Sequence, residues 1–172
     1  MKFNIANSLT LTRILLIPLI VFLFLSNDES YRILIFSLFL LATITDYLDG
    51  FFARYMQQVT SFGEFLDPIA DKLLVIITLI LLITENQDIF FLIPVLIIIT
   101  REFLVIAIRQ RLAEVGENIK LSVLLISKIK TAIQLISLLL LLFKFPLFEI
   151  DTYQIGIYLL QIASLLTLIS FF

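Results

Sequence analysis

The chain of 172 residues contains no cysteine, no histidine and no tryptophan. Without thiols and imidazoles it has no thiolate nucleophile, no histidine general base and no zinc site built from histidine and cysteine. Disulfide bonds are excluded for the same reason. Any chemistry performed by this chain must therefore use aspartate, glutamate, lysine, tyrosine, serine or threonine side chains, together with metals that prefer oxygen ligands.

Charged residues are also scarce. They form 15% of the chain, whereas 61% of the residues are hydrophobic and the mean hydropathy is +1.13. The length predicts one domain, residues 1–172. Six apolar segments approach the roughly 20 residues that a helix needs to cross a bilayer. They are about Leu9–Leu25, Tyr31–Leu48, Asp67–Ile83, Ile89–Ile108, Leu121–Phe143 and Tyr153–Phe171. We therefore predict an all-α integral membrane protein with six transmembrane helices.

The connections between these segments predict the orientation of the chain. Two connections are longer than the others, Asp49–Leu66 and Arg109–Lys120. If the N-terminus is cytoplasmic, ten of the twelve lysine and arginine residues lie on or towards the cytoplasmic side, and only Arg32 and Lys144 do not. Because basic residues concentrate on the cytoplasmic side of membrane proteins, we expect both termini to be cytoplasmic.

Four aspartates interrupt this apolar sequence around the first long connection. At about 100° per residue, two groups of residues each share one helix face. The first group is Asp46, Asp49, Gly50 and Ala53, and the second is Gly63, Asp67 and Asp71. Helices joined by a short loop are antiparallel neighbours, so the two faces can meet and bring four carboxylates together. Mutual repulsion of these carboxylates favours one or two divalent cations with oxygen ligands, which predicts a metal site at the cytoplasmic boundary.

Simpler interpretations exist for parts of this pattern. The aspartates can be solvated residues at helix ends, with Asp67 capping a helix that begins at Pro68. The small residues Gly50, Ala53 and Gly63 can allow close helix packing, or they can leave room for a flat ligand.

The same residues form a known motif. Together with Arg54, these seven residues match the motif of the CDP-alcohol phosphotransferases in identity and spacing: Asp46, Asp49, Gly50, Ala53, Arg54, Gly63, Asp67 and Asp71. The chain therefore resembles this family, whose similar members are six-helix membrane enzymes. The resemblance implies transfer of a phosphatidyl group from CDP-diacylglycerol to an alcohol, with release of CMP. It further implies Mg²⁺ or Mn²⁺ as cofactor, a homodimer among membrane lipids, and no nucleic-acid partner.

The resemblance also implies a role for each matching residue. The metal ligands are Asp46, Asp49, Asp67 and Asp71, and the last is either a ligand or the general base that the family assigns at that position. The residues that contact CDP are Asp46, Asp49, Gly50, Ala53, Arg54 and Gly63, with Asn7 and Thr10 as further candidates.

Blocks on both sides of this motif resemble the bacterial branch of the family that makes phosphatidylglycerophosphate. They are Asn7–Arg13, Thr100–Glu102, Arg109, Ala113–Gly116 and Ser127–Thr131. Two residues depart from that pattern, because Ala6 replaces a usual proline and Ser127 a usual glycine. This branch implies a bacterial inner (plasma) membrane, an active site facing the cytoplasm and glycerol 3-phosphate as the acceptor.

Basic residues are the candidates for binding the acceptor phosphate. Arg101 lies inside the fourth predicted span, where a charge is costly. Arg109, Lys128 and Lys130 are expected near the same cytoplasmic edge. The alternative is that these side chains reach lipid headgroups and only set the topology. Other acceptors within the family, such as those of cardiolipin or inositol-phosphate lipid synthesis, also remain open. A divalent-cation transporter or channel is the alternative from another functional class.

Overall fold

The structure is a computed structural model that describes residues 5–56, 61–115, 125–146 and 151–170, with side chains for 11–45, 69–70, 72–108, 111, 126, 128–146 and 151–170. This part of the chain forms six α-helices and no strand, so the predicted all-α class is confirmed. The helices are α1 (Ile5–Leu25), α2 (Arg32–Met56), α3 (Ser61–Glu85), α4 (Ile89–Val115), α5 (Leu125–Phe143) and α6 (Thr152–Ile169), with a short 3₁₀ turn at Glu29–Tyr31.

The two long connections are shorter than the sequence predicts. Helix α2 continues to Met56 and α3 already begins at Ser61, so most of the predicted connection Asp49–Leu66 is helical. Likewise, α4 continues to Val115 through much of Arg109–Lys120. Hydropathy marks the point where a chain becomes polar, whereas a helix ends only where its backbone hydrogen bonds stop. Both connections are therefore shorter than predicted, whereas the helix predicted at Asp46–Ala53 and at Gly63–Asp71 is present.

The capping interpretation of Asp67 is also wrong. Asp67 is the seventh residue of α3, and Pro68 lies inside the same helix. A cap must precede the first helical residue, so Asp67 does not occupy that position. Its place inside the helix keeps it in the same helical register as Gly63 and Asp71.

Two helices within the described residues are long and apolar enough to cross a membrane. They are Ile89–Ile108, with mean hydropathy 2.5, and Thr152–Ile169, with mean hydropathy 1.5. The segment Leu11–Leu25 is a shorter apolar helix. Large apolar side chains also face outward, including Phe22, which is 73% exposed, and Phe90, which is 70% exposed. Extensive apolar surface of this kind suits contact with lipid or another protein.

The chain packs as two compact units. Unit 1 comprises Met1–Leu82 and Leu142–Lys144, and unit 2 comprises Ile83–Leu141 and Phe145–Phe172. In unit 1, α1 packs on α2. The residues they bury follow helical spacing: Ile17, Ile20 and Phe24 on α1, and Ile35, Phe39 and Ala42 on α2. Each helix therefore buries one stripe along its length.

Acidic residues cap the 3₁₀ turn at Glu29–Tyr31 and the N-termini of α4 and α6. Asp28 Oδ1 accepts a hydrogen bond from the amide of Ser30 at 2.9 Å, which holds the pKa of Asp28 below its usual range. Asp88 Oδ1 accepts from the amide of Phe90 at 3.3 Å, and Asp151 Oδ1 from that of Tyr153 at 3.0 Å. A carboxylate here satisfies free amides and complements the helix dipole.

Unit 2 contains a parallel pair of helices, α4 and α6. Three hydrogen bonds connect α4, or the residues just before it, to α6. The partners on both sides have increasing residue numbers. Asn86 Nδ2 donates to Tyr153 Oη at 3.1 Å, Gln161 Nε2 donates to the carbonyl of Phe90 at 3.3 Å, and Arg101 Nη2 donates to Ser170 Oγ at 3.3 Å. Because both partners advance along the chain together, the two helices run in the same direction.

The contact with Phe90 has a local cause. Pro94 lies inside α4 and has no backbone N–H, so it cannot donate to the carbonyl four residues before it. That carbonyl belongs to Phe90 and accepts instead from Gln161 of α6. A neighbouring helix thus satisfies the group that the proline leaves open, which is how prolines are tolerated in apolar helices.

Helices α5 and α6 approach each other closely at Gly156. Ser137 Oγ donates to the carbonyl of Gly156 at 2.8 Å. A Cβ atom on Gly156 would lie 2.8 Å from Leu141 Cγ and 3.2 Å from the backbone nitrogen of Leu141. Leu141 is fully buried, so neither its side chain nor its backbone has free space to move into.

We expect Gly156→Ala to destabilise the protein. Overpacking of this kind costs about 1–3 kcal/mol, which exceeds the roughly 1 kcal/mol by which alanine favours a helix over glycine. The apparent Tm in detergent should therefore fall. The matched control is Ile155→Ala, one position earlier, where the side chain is 39% exposed. A Gly156→Ala variant as stable as the parent would show that α5 and α6 separate without cost.

Candidate functional site

The backbone of the aspartate motif is helical on both sides of residues 57–60. Asp46 and Asp49 lie in α2, and Asp67 and Asp71 lie in α3. The prediction that both groups of motif residues lie on helices is therefore confirmed for the backbone. The side chains of the eight motif residues lie outside the described set, as do those of Asn7 and Thr10 in α1.

The register of α2 relates its aspartates to its buried stripe. Ile35, Phe39 and Ala42 are buried at intervals of four and three residues. Continuing that alternation along the same helix reaches positions 46, 49 and 53. Asp46, Asp49 and Ala53 thus occupy register positions that extend the stripe of unit 1.

In α3 the aspartates lie near the start of the buried residues rather than after them. Ala70, Leu74 and Thr78 are buried at intervals of four residues. Positions 67 and 71 lie three residues before Ala70 and Leu74 respectively, and therefore adjoin the same face. The α2 pair therefore continues a stripe that is buried where the structure describes side chains, and the α3 pair adjoins such a stripe.

The donor set suits a hard divalent cation. Four carboxylates offer only oxygen ligands, which Mg²⁺ and Mn²⁺ prefer. Among the residues with described side chains, no group of three or more aspartate or glutamate residues lies close enough to bind a metal. The aspartate motif is thus the candidate metal centre that the sequence supplies.

A second polar cluster lies in unit 2, around Glu102. Lys130 Nζ on α5 donates to Glu102 Oε1 on α4 at 2.6 Å, and the two side chains are 1% and 2% exposed. Arg101 Nη1 lies 3.4 Å from the same oxygen, and the Arg101 side chain is 14% exposed. The structure therefore brings two of the four predicted acceptor-binding residues, Arg101 and Lys130, to one carboxylate.

The other two basic residues do not join this cluster in the described contacts. Lys128 is exposed, and it lies two residues before the buried Lys130. Two residues correspond to about 200° around a helix, so these two lysines occupy opposite faces of α5. Arg109 lies in α4, with its side chain outside the described set.

Sequence reasoning gave no site role to three residues that the structure places in polar environments. Glu102 and Ser170 contact Arg101, and Arg13 in α1 is 1% exposed. Glu102 carries a signal in the sequence, because a carboxylate next to an arginine in an apolar run can neutralise it. The role of Ser170 has no such signal, since it depends on how α4 and α6 pack.

Comparison with known proteins extends over nearly the whole chain. Residues 3–169 match the CDP-alcohol phosphatidyltransferase family. The CDP-diacylglycerol–glycerol-3-phosphate 3-phosphatidyltransferase of Wigglesworthia glossinidia brevipalpis is 43% identical over 176 residues, covering 99% of this chain and 92% of the relative.

Other relatives with the same name are similar over comparable lengths. That of Haemophilus influenzae is 40% identical over 171 residues, covering 99% of this chain and 90% of the relative. That of Rickettsia typhi is 43% identical over 171 residues, covering 97% of this chain and 92% of the relative. With its eight-residue motif intact and its match from residue 3 to residue 169, the chain belongs to the CDP-alcohol phosphatidyltransferase family.

Proposed function

We propose that this chain transfers the phosphatidyl group of CDP-diacylglycerol to the hydroxyl of glycerol 3-phosphate, giving phosphatidylglycerophosphate and CMP. The observation that carries the proposal is the identity of 38–43% with enzymes of that name over nearly the full chain. The intact motif supplies the groups that the reaction needs. The acceptor phosphate distinguishes this reaction from those of other family members.

Residues of α2 and α3 bind the CDP moiety of the donor. Asp46, Asp49 and Gly50 of α2 contact the CDP moiety together with Ala53, Arg54 and Gly63, and Asn7 and Thr10 of α1 are further candidates. Arg54 suits a phosphate oxygen, because its guanidinium offers several N–H donors in a planar arrangement. Small residues at three of these positions leave space for the nucleotide next to the backbone.

Asp71 acts as the general base. It takes the proton from the acceptor hydroxyl as that oxygen forms a bond to the β-phosphorus of CDP-diacylglycerol. The bond from this phosphorus to the oxygen of CMP breaks, and CMP leaves with the electron pair. A carboxylate works as a base in this role only if it lies within hydrogen-bonding reach of the hydroxyl.

A divalent cation fits the same aspartates. Asp46, Asp49, Asp67 and Asp71 would hold Mg²⁺ or Mn²⁺ through carboxylate oxygens. When bound, the cation supplies positive charge that neutralises the pyrophosphate oxygens and stabilises the leaving CMP. Because the chain contains no histidine and no cysteine, it offers no imidazole or thiolate ligand for another metal.

Arg101, Arg109, Lys128 and Lys130 are proposed to bind the acceptor phosphate. The shared contact of Arg101 and Lys130 with Glu102 supports their membership in one site. Lys128, which is exposed, equally suits the alternative of a contact with lipid headgroups.

We also propose that the chain crosses the inner membrane of a bacterial cell six times, with both termini in the cytoplasm. In that membrane it forms a homodimer. The parallel direction of α4 and α6 supports the alternation of helices that this topology requires. The active site then faces the cytoplasm, where the water-soluble acceptor and CMP are available.

The decisive experiment measures CMP release by the purified protein from CDP-diacylglycerol, with and without glycerol 3-phosphate. We expect release to depend on the acceptor and phosphatidylglycerophosphate to appear in equal amount. Cation flux through proteoliposomes without CMP release would instead identify a transporter or channel.

We expect strict dependence on a divalent cation, because four carboxylates with no histidine or cysteine nearby in sequence match a hard metal. Chelation should abolish CMP release, and Mg²⁺ or Mn²⁺ should restore it. Asp46→Ala, Asp49→Ala and Asp67→Ala should each lose most activity together with donor binding. Full activity after exhaustive chelation would contradict the metal assignment.

Asp71→Asn should lower kcat by roughly 10²-fold or more, because the amide keeps the shape of the side chain without its basicity. Binding of CDP-diacylglycerol should persist. The control is Asp88→Asn, since asparagine caps a helix as well as aspartate does. If donor binding falls as far as turnover, Asp71 is chiefly a metal ligand.

Arg101→Ala and Arg109→Ala should raise the KM for glycerol 3-phosphate far more than that for CDP-diacylglycerol. Loss of one charge-assisted contact corresponds to roughly 1.5–3 kcal/mol, or about ten- to a hundredfold. Arg111→Ala, an exposed arginine on the same helix, is the control. Glycerol should be a poor acceptor, and equal reaction of glycerol would assign the basic residues to topology.

A further inference from the structure

The cluster around Glu102 contains two cations and one carboxylate, largely removed from solvent. Lys130 Nζ and Arg101 Nη1 lie 2.6 Å and 3.4 Å from the same oxygen, Glu102 Oε1. The three side chains therefore carry a net charge of +1 (two positive, one negative). Two basic side chains held next to each other in this way supply several N–H donors of the kind that bind a phosphate.

Glu102 is what makes this arrangement of cations possible. An ammonium group that is 1% exposed is strongly unfavourable unless a carboxylate and further hydrogen bonds compensate it. Arg101 and Lys130 would also repel each other at this separation. A single carboxylate oxygen that contacts both groups offsets the burial and the repulsion together.

Arg101 is fixed from a second side as well. Its Nη2 donates to Ser170 Oγ at 3.3 Å, and that hydroxyl donates to the carbonyl of Thr167 at 3.1 Å. The guanidinium is thus held between α4 and the C-terminal end of α6. Its Nε is a buried donor that makes no hydrogen bond within the described part of the chain.

We propose that Glu102 is a positioning residue for acceptor binding. It orients Arg101 and Lys130, and these two side chains bind the phosphate of glycerol 3-phosphate. This inference rests on the proposed function and on the assignment of Arg101 to the acceptor phosphate. Glu102 itself does not contact the ligand, because a carboxylate and a phosphate repel each other. Its negative charge opposes phosphate binding directly, but the loss of the compensation for Lys130 is the larger effect.

The experiment compares Glu102→Gln with the parent in the full chain. We expect the KM for glycerol 3-phosphate to rise about tenfold, with little change in the KM for CDP-diacylglycerol. The shift in Tm produced by saturating glycerol 3-phosphate should shrink in parallel, which reports binding without turnover. Glu29→Gln, the same change at an exposed glutamate, is the control and should behave as the parent does.

Coupling between Glu102 and Lys130 gives a second readout. In a Lys130→Gln background no buried ammonium needs compensation, so Glu102→Gln should raise the KM for glycerol 3-phosphate less than it does in the parent. Glu102→Asp keeps the charge on a shorter side chain and should restore part of the affinity. If Glu102→Gln does not fold, Ser170→Ala tests the same site and should raise this KM about threefold.

Three results would overturn the inference. A lower KM for glycerol 3-phosphate in Glu102→Gln would mean that Glu102 acts chiefly as a competing anion. A loss of Tm with both KM values unchanged would make the cluster purely structural. Additive effects of Glu102→Gln and Lys130→Gln would mean that the two residues act independently. If the parent itself shows no CMP release that depends on glycerol 3-phosphate, the proposed function fails, whatever Glu102 does.

Discussion

A polar group on an apolar helix must find a partner inside the protein or reach water, and this constraint explains several of the polar contacts described here. Several hydroxyl groups within the helices donate to carbonyls of their own helix, as Thr78 Oγ1 does to Leu74 at 2.8 Å, and Ser137 Oγ donates to Gly156 of the neighbouring helix at 2.8 Å. The carbonyl that Pro94 leaves open accepts from Gln161 of another helix. The buried ammonium of Lys130 meets Glu102. The same requirement underlies the proposal that the four aspartates of the motif bind a divalent cation.

The sequence predicts the existence and number of the helices well, because apolar runs of the right length have few other structures available in a membrane. The predicted span Ile89–Ile108 coincides with the apolar part of α4. Helix ends are predicted poorly, since α2 continues to Met56 beyond the predicted end at Leu48. A helix continues into polar surroundings as long as its backbone hydrogen bonds are favourable, and hydropathy carries no information about that.

For the candidate site, too, the sequence predicts the local features and does not predict those that depend on tertiary contacts. The spacing of Asp46 and Asp49 relative to Ala42 is a local property, so their register follows once α2 is helical. The environments of Lys128 and Lys130 differ because one faces outward and the other packs against α4, a distinction that requires tertiary contacts. The pairing of Lys130 with Glu102 joins residues 28 positions apart, and that of Arg101 with Ser170 joins residues 69 positions apart. Neither pairing is encoded in a local pattern.

These separations also set the order in which Arg101 acquires its partners during synthesis. Glu102 is the next residue, whereas Lys130 follows Glu102 by 28 residues and Ser170 follows Arg101 by 69. An arginine near the middle of a helix disfavours insertion by roughly 2.5–3.5 kcal/mol. Of these three partners, only Glu102 has been synthesised when α4 leaves the ribosome. The pair can enter the membrane as a neutral unit, and the cluster becomes cationic only when α5 arrives with Lys130.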